Sequence, residues 1–138
     1  MLDEVKFYAE NGGRTIVENT TFGRDLAYFK QIQEQTNVNI VAGAGYYIDH
    51  AFPDSIKSLK VEQLYENITN EFAGDGIKCG VLGEIGTSYP LRDFERKVLN
   101  ACGQLSEQNR NLPVTIHPGK RSRRFPWIAK TGVSVRFV

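Results

Sequence analysis

Segments with the apolar spacing of helices alternate along this chain with short runs rich in apolar and β-branched residues. The runs span residues 15–21, 38–43, 77–85 and 113–117. Strands with little polar alternation are typical of a parallel sheet that is buried on both faces. Between two of the runs, one face of a predicted helix holds Val61, Leu64, Tyr65, Ile68 and Phe72. The alternation therefore predicts an α/β fold built from right-handed βαβ units.

Two architectures fit this order: a complete small doubly wound sheet, or half of a (β/α)8 barrel, which normally needs about 250 residues. Periodicity does not distinguish them, because both consist of the same units. With 138 residues, of which 41% are hydrophobic, the chain is long enough for one domain with its own core. It has no apolar run of about 18 residues and no secretory signal pattern, so we expect a cytoplasmic protein without a membrane partner.

The basic residues of the chain are concentrated at its end. Residues 120–138 carry six Lys and Arg residues and no Asp or Glu, although the net charge of the whole chain is only +1. A basic end can bind nucleic acid or an anionic membrane surface. The simpler interpretation, which we favour, is a solvated tail, and we expect no nucleic-acid partner. We therefore divide the chain into a domain, residues 1–119, and a basic tail, residues 120–138.

Several motifs can be set aside. Cys79 and Cys102 stand singly in apolar segments and form no CxxC pair, which favours buried free thiols over a disulfide or a zinc clip. Gly43 and Gly45 match the opening of a dinucleotide-binding turn, but Ile48 occupies the position of its third glycine. The chain also lacks a phosphate-binding GxxxxGK[ST] loop and a GxSxG nucleophile motif.

Two ionisable residues stand where the third and fourth runs end, and parallel α/β proteins bind their ligands at such ends. Glu84 lies within an otherwise apolar segment, and His117 closes the fourth run. Together they form a donor set for divalent metals, with a carboxylate that can bridge two ions and a neutral imidazole. The competing interpretation is that Glu84 accepts backbone hydrogen bonds and His117 is a core histidine. His50, in the loop after the second run, is expected to be exposed.

Four strand-end segments, residues 13–21, 38–47, 80–88 and 116–119, have the sequences GRTIVENTT, VNIVAGAGYY, GVLGEIGTS and IHPG. In this order they resemble the phosphotriesterase-related proteins of the amidohydrolase superfamily. The resemblance covers about residues 1–119, and GEIG and IHPG are its most specific parts. It implies a partial (β/α)8 TIM barrel, of which this chain holds about strands 2 to 5.

That family hydrolyses ester, phosphoester or amide bonds with water activated by two zinc or other divalent ions. The resemblance implies that Glu84 bridges the two ions and that His117 binds one of them. It also implies that Tyr46 or Tyr47 forms a wall of the substrate pocket, with packing of the ring against a loop as the alternative. The substrate would be a small ester or amide, and an N-acyl amino-acid amide fits the family branch better than a phosphotriester.

The chain departs from the family pattern at both ends. The family's first strand carries an HxH pair of metal ligands, and no HxH occurs here. A histidine of strand six and an aspartate of strand eight, the proton acceptor, would follow residue 119. We therefore expect an incomplete, inactive piece of a catabolic zinc hydrolase, with no catalytic residue of its own, whose uncovered sheet edges promote self-association. The alternative is a non-catalytic interaction module with a basic tail.

Overall fold

The computed structural model describes residues 1–73 and 78–119. At its centre four parallel strands form one sheet, and they lie side by side in the order of the chain. A doubly wound sheet reverses its strand order at a switch point, whereas a barrel adds each strand to the same edge. The observed order is that of a partial (β/α)8 barrel. The strands are β1 (Thr15–Glu18), β2 (Asn39–Ala44), β3 (Val81–Gly86) and β4 (Val114–His117).

Helices alternate with these strands, as the sequence predicts. Local chemistry sets their bounds: at the start of the second helix the Asp25 carboxylate accepts a hydrogen bond from the backbone N–H of Tyr28 at 3.1 Å. No helix within the described part of the chain is long and apolar enough to cross a membrane. The helices are α1 (Leu2–Glu10), α2 (Leu26–Thr36), α3 (Asp54–Lys57), α4 (Val61–Ala73) and α5 (Asp93–Gln108), and a short 3-10 turn covers Asp49–Ala51.

The main core lies between the sheet and the helices that cover one of its faces. Leu64 and Ile68 of α4, Leu82 and Ile85 of β3 and Val98 of α5 belong to one cluster, and each is at most 1% exposed. Burying a side chain of this size contributes roughly 1.5–3 kcal/mol relative to leaving it exposed. The helical spacing predicted for residues 61–72 therefore marks the face of α4 that packs on the sheet.

The other face of the sheet corresponds to the interior of a complete barrel. Ile16 and Ile40 point to the helices, where they pack against buried side chains. Val17, next to Ile16, faces the opposite way and is 54% exposed. Among the residues that the structure describes, β1 and β4 are the outer strands and have one strand neighbour each. The predicted tail, residues 120–138, lies outside the described residues.

Cys79 and Cys102 are free and buried, which confirms the prediction from the sequence. Burial raises the pKa of the Cys79 thiol to about 11 and that of Cys102 to about 12, because the thiolate would lose its hydration. The Arg24 guanidinium lowers the pKa of Cys79, and the Glu71 carboxylate raises it, as smaller effects. Neither thiol has the low pKa that makes a cysteine reactive at neutral pH.

We expect both thiols to resist modification in the folded protein. With a pKa of about 11, only about one Cys79 in a thousand is a thiolate near pH 8, and burial limits access as well. An absorbance assay with a disulfide reagent should show no fast phase in buffer and two thiols per chain in denaturant. Rapid reaction of either cysteine in buffer would contradict the burial described above.

The 138-residue chain by itself should associate through the barrel-interior face and its neighbouring edges. A lysine at Val17 places a charge on that face, so Val17→Lys should lower the mass measured by light scattering over a range of concentrations. Ala27→Lys adds the same charge on the exposed side of α2 and serves as the matched control. A wild-type chain that stays monomeric at every concentration would exclude this association.

Candidate functional site

The end of β3 contains an irregularity that determines where Glu84 points. Leu82 pairs with Val114, but Ile85 pairs with Ile116, so β3 has one residue more than β4 between these pairs. Such a bulge re-aims the neighbouring side chains. Gly83 within it has a φ of 141°, which an L side chain rarely adopts. As a result Leu82 and Ile85 both lie in the core, while Glu84 is left to face His117.

Glu84 and His117 form a direct pair at the carboxyl ends of β3 and β4. The Nδ1 atom of His117 lies 2.6 Å from Oε1 of Glu84. The Glu84 side chain is 36% exposed and that of His117 is 51% exposed, so both can be reached from solvent. The expectation that the two residues converge is confirmed, and the interpretation of His117 as a buried core histidine is wrong. Their role as metal ligands stays a prediction.

Backbone contacts fix both members of the pair. The carbonyl oxygen of His117 accepts hydrogen bonds from the N–H and the Oγ1 hydroxyl of buried Thr87, at 3.0 and 3.2 Å. The N–H of Glu84 donates to the carbonyl oxygen of Asn19 at 2.7 Å. The loops after β1 and β3 therefore fix the backbone from which the two side chains project.

The pair also depends on a close approach of β2 to β3. A Cβ atom at Gly43 would lie 1.9 Å from the carbonyl oxygen of Gly83 and 3.2 Å from the Cα atom of Asn19. Only glycine fits at Gly43, because any side chain would push the backbone away from the residue that precedes Glu84. The glycines of the VAGAG and GEIG segments thus have a packing role at this site and not a nucleotide-binding one.

The two tyrosines predicted for the substrate pocket lie in different surroundings. The ring of Tyr47 packs edge-on against the His117 ring, with centroids 5.6 Å apart and planes at 81°. Tyr46 packs on the helix side against Phe52 and Phe94, at 5.3 and 5.8 Å between centroids. Burial raises the pKa of Tyr46 above its usual value. The structure therefore brings Tyr47, and not Tyr46, to the pair.

One aromatic residue at the site was not predicted from the sequence. Phe22, in the loop after β1, stacks on Tyr47 with centroids 6.0 Å apart and planes at 26°, and it is 47% exposed. It also contacts Phe52 edge-on at 5.9 Å. Its position in a loop that follows a strand was the only signal in the sequence, and many loop residues share that signal. Phe22 and Tyr47 form an aromatic wall beside His117.

The donor set at this end of the sheet suits a divalent cation but is small. An anionic carboxylate and an imidazole are common zinc ligands, and a firmly held ion needs three or more protein ligands. Within residues 1–73 and 78–119, no group of three or more His, Cys, Asp or Glu side chains could hold a metal ion. His50 is exposed in the 3-10 turn, as predicted. The described residues thus bring together two side chains of types that can bind a divalent cation.

Comparisons with known proteins agree with this fold. The N-acetyltaurine hydrolase of Xenopus tropicalis is 45% identical over 126 residues, which are 87% of this chain and 36% of that protein. That of Homo sapiens is 43% identical over 127 residues, 88% of this chain and 36% of that protein. The phosphotriesterase-related protein of Nematostella vectensis is 41% identical over 126 residues, with shares of 87% and 36%. The chain therefore spans about a third of the length of these curated relatives.

Solved structures extend the likeness to three dimensions. The phosphotriesterase homology protein from Escherichia coli, which holds phosphate in its active site, gives a TM-score of 0.77 with 28% identity over 86% of this chain and 43% of that chain. A resiniferatoxin-binding protein from Rhodobacter sphaeroides gives 0.76 with 32% identity, over 84% and 34% of the two chains. The phosphotriesterase family model matches residues 1–130, which is most of the sequence. This chain belongs to the phosphotriesterase family.

Proposed function

We propose that this chain is part of a metal-dependent hydrolase that cleaves amide or ester bonds in small molecules. The observation that carries the proposal is the 2.6 Å contact between Glu84 and His117 at the carboxyl ends of adjacent strands. Ligands of parallel barrels bind at this end. The pair is exposed and has an aromatic wall next to it, as a substrate pocket requires.

The two side chains would bind zinc or another divalent ion, and two ions in a complete family site. A cation held there polarises a carbonyl or phosphoryl oxygen and lowers the pKa of water. Glu84 supplies a carboxylate, whose two oxygens can bridge a pair of ions. His117 would supply a ring nitrogen, and its Nδ1 atom lies 2.6 Å from Oε1 of Glu84, so a cation bound by both atoms would replace this direct contact.

The names of the relatives and the aromatic wall support a proposal for the substrate class. Several relatives at 41–45% identity are named N-acetyltaurine hydrolases or phosphotriesterase-related proteins. We propose that the substrate of the whole protein is an N-acylated amino compound similar to N-acetyltaurine. We further propose that the protein acts in the cytoplasm. Tyr47 would contact the substrate directly. Tyr46 would form part of the packing on the helix side of the pocket, behind the residues that contact the substrate.

The remaining ligands would come from sequence outside this chain, which spans about a third of its relatives. Two ligands do not hold a metal firmly, so the 138-residue chain would be inactive alone. The interaction-module alternative depends on the basic segment 120–138, which lies outside the described residues. No contact in residues 1–73 and 78–119 favours it.

The complete reading frame that contains this segment should encode an upstream HxH pair and hydrolyse N-acetyltaurine or a related N-acyl amide. In that protein, Glu84→Gln and His117→Ala should each lower kcat/KM by roughly 100-fold or more, since each removes a proposed metal ligand. His50→Ala is the matched control, because His50 is exposed and outside the site.

Two results would count against the proposed hydrolase. One is a complete protein that cleaves no amide, ester or phosphoester when purified with zinc. The other is an equal loss of activity in His50→Ala and His117→Ala, which would show that His117 has no special role.

Zinc should have little effect on the stability of the 138-residue chain alone. A ligand at a concentration no higher than its Kd stabilises a protein by at most about 0.4 kcal/mol, and a two-ligand site should have a Kd above the micromolar range. Thermal unfolding with and without micromolar zinc tests this, and Glu84→Gln is the control. A large zinc-dependent rise in Tm would mean that the chain contains further ligands.

A further inference from the structure

Glu95 is a fully buried carboxylate in the first turn of α5, with 0% of its surface exposed. Oε1 accepts hydrogen bonds from the Ser88 hydroxyl at 2.6 Å and from the N–H of Asp49 at 3.2 Å. Oε2 accepts from the N–H of Ser88 at 2.9 Å and from the N–H of Arg92 at 3.1 Å. None of the ion pairs found in the described residues includes Glu95. Four donors and the start of a helix therefore stabilise its negative charge.

The donors belong to three segments of the chain, and Glu95 accepts hydrogen bonds from all three. Arg92 precedes α5, and a bond from its N–H is the ordinary cap of a helix. Asp49 lies in the loop after β2, and Ser88 lies in the loop after β3. Helix capping does not require these last two contacts, which connect the loops at the site end of the barrel.

Both loops touch the Glu84 and His117 pair. Tyr47, whose ring packs edge-on against His117, is two residues before Asp49. Thr87, which donates two hydrogen bonds to the carbonyl oxygen of His117, is next to Ser88. The buried Glu95 carboxylate is thus hydrogen-bonded to both loops that contact His117, one through the Tyr47 ring and the other through Thr87.

We propose that Glu95 is a positioning residue of the site, which sets the Tyr47 ring against His117 and holds the end of β4 through Thr87. Its importance for substrate binding rests on the proposed hydrolase function, whereas the geometric coupling does not. The ion pair between Arg92 and Asp49, at 3.5 Å, joins two of the same segments through one contact, whereas Glu95 joins all three segments through four hydrogen bonds. Glu95 is therefore the main connection.

The variant Glu95→Gln tests this because the side-chain NH2 group cannot accept hydrogen bonds. Gln keeps the size of the residue and loses the bonds made by one of the two oxygens. Asp93→Asn is the matched control: Asp93 is exposed in the same helical turn and its replacement removes the same charge near the helix start. Both variants weaken the helix terminus, and only Glu95→Gln releases the loops.

The readout is the nuclear Overhauser effect between the Tyr47 and His117 rings, with the chemical shifts of the His117 ring protons. Labelling only histidine and tyrosine keeps these rings visible even in a dimer. A displacement of about 0.5 Å, the tolerance of a preorganised site, should reduce the effect by about half in Glu95→Gln. Asp93→Asn should leave it unchanged. The measurement needs neither metal nor turnover, so it stands or fails independently of the hydrolase proposal.

Glu95→Gln with a wild-type ring contact and wild-type His117 shifts would overturn the proposal, and Glu95 would then be a helix cap alone. If Glu95→Gln does not fold, Ser88→Ala takes its place. Ser88→Ala removes only the hydroxyl donor and should shift the His117 signals in the same direction by a smaller amount. Wild-type His117 signals in Ser88→Ala would then refute the coupling.

Discussion

The one-residue bulge in β3 is the constraint on which both the core and the site depend. In a regular strand, Glu84 would lie on the same face as Leu82, because side chains alternate. That face packs against the helices, so the carboxylate would enter the apolar core, which is costly for an unpaired charge. The extra residue between the pairs at Leu82 and Ile85 keeps both apolar side chains inside and turns Glu84 toward His117. Gly83 makes this possible, since its φ of 141° excludes most other residues.

Two glutamates in this region illustrate how surroundings separate a structural carboxylate from a candidate ligand. Glu95 is completely buried and accepts four hydrogen bonds, so it has little capacity left for a cation. Glu84 is 36% exposed, and its contact through the side chain is with His117. The two oxygens of Glu95 are both used as acceptors for donors from three segments of the chain. The backbone contacts of Glu84 with Asn19 and of His117 with Thr87 do not use the side-chain atoms that face each other, so those atoms stay available to a ligand.

Local patterns predicted the four strands and the longer helices, but not the 3-10 turn or the short helix α3, which lie where a loop was expected. The strand-end rule predicted the residues of the pair. Periodicity identified the buried face of α4, and four apolar runs identified four strands, although not whether the sheet was doubly wound. The bulge could not be predicted, since it depends on how β3 pairs with β4. Nor could the different surroundings of Tyr46 and Tyr47, because alternation no longer applies once the chain leaves β2. The roles of Phe22 and Glu95 could not be predicted either, because they depend on contacts between residues far apart in sequence. Glu95 accepts a hydrogen bond from Asp49, which is 46 residues away, and no local pattern indicates such a contact.

In a (β/α)8 barrel, the core that stabilises the fold lies between strands and helices, whereas ligands bind at the carboxyl ends of the strands. A partial barrel can therefore keep the core and have an incomplete binding site. The core between strands and helices forms within successive βα units, so four strands in order can keep it. Leu64, Ile68, Leu82 and Ile85 are buried in the core that the four described strands and their helices form. Barrels bind their ligands at the carboxyl ends of several strands, and within the described part of the chain Glu84 and His117 meet at the ends of β3 and β4. This chain can therefore resemble the solved phosphotriesterase homology protein over 86% of its length with a TM-score of 0.77, although it covers 43% of that protein and so only some of the strand ends at which barrels bind their ligands.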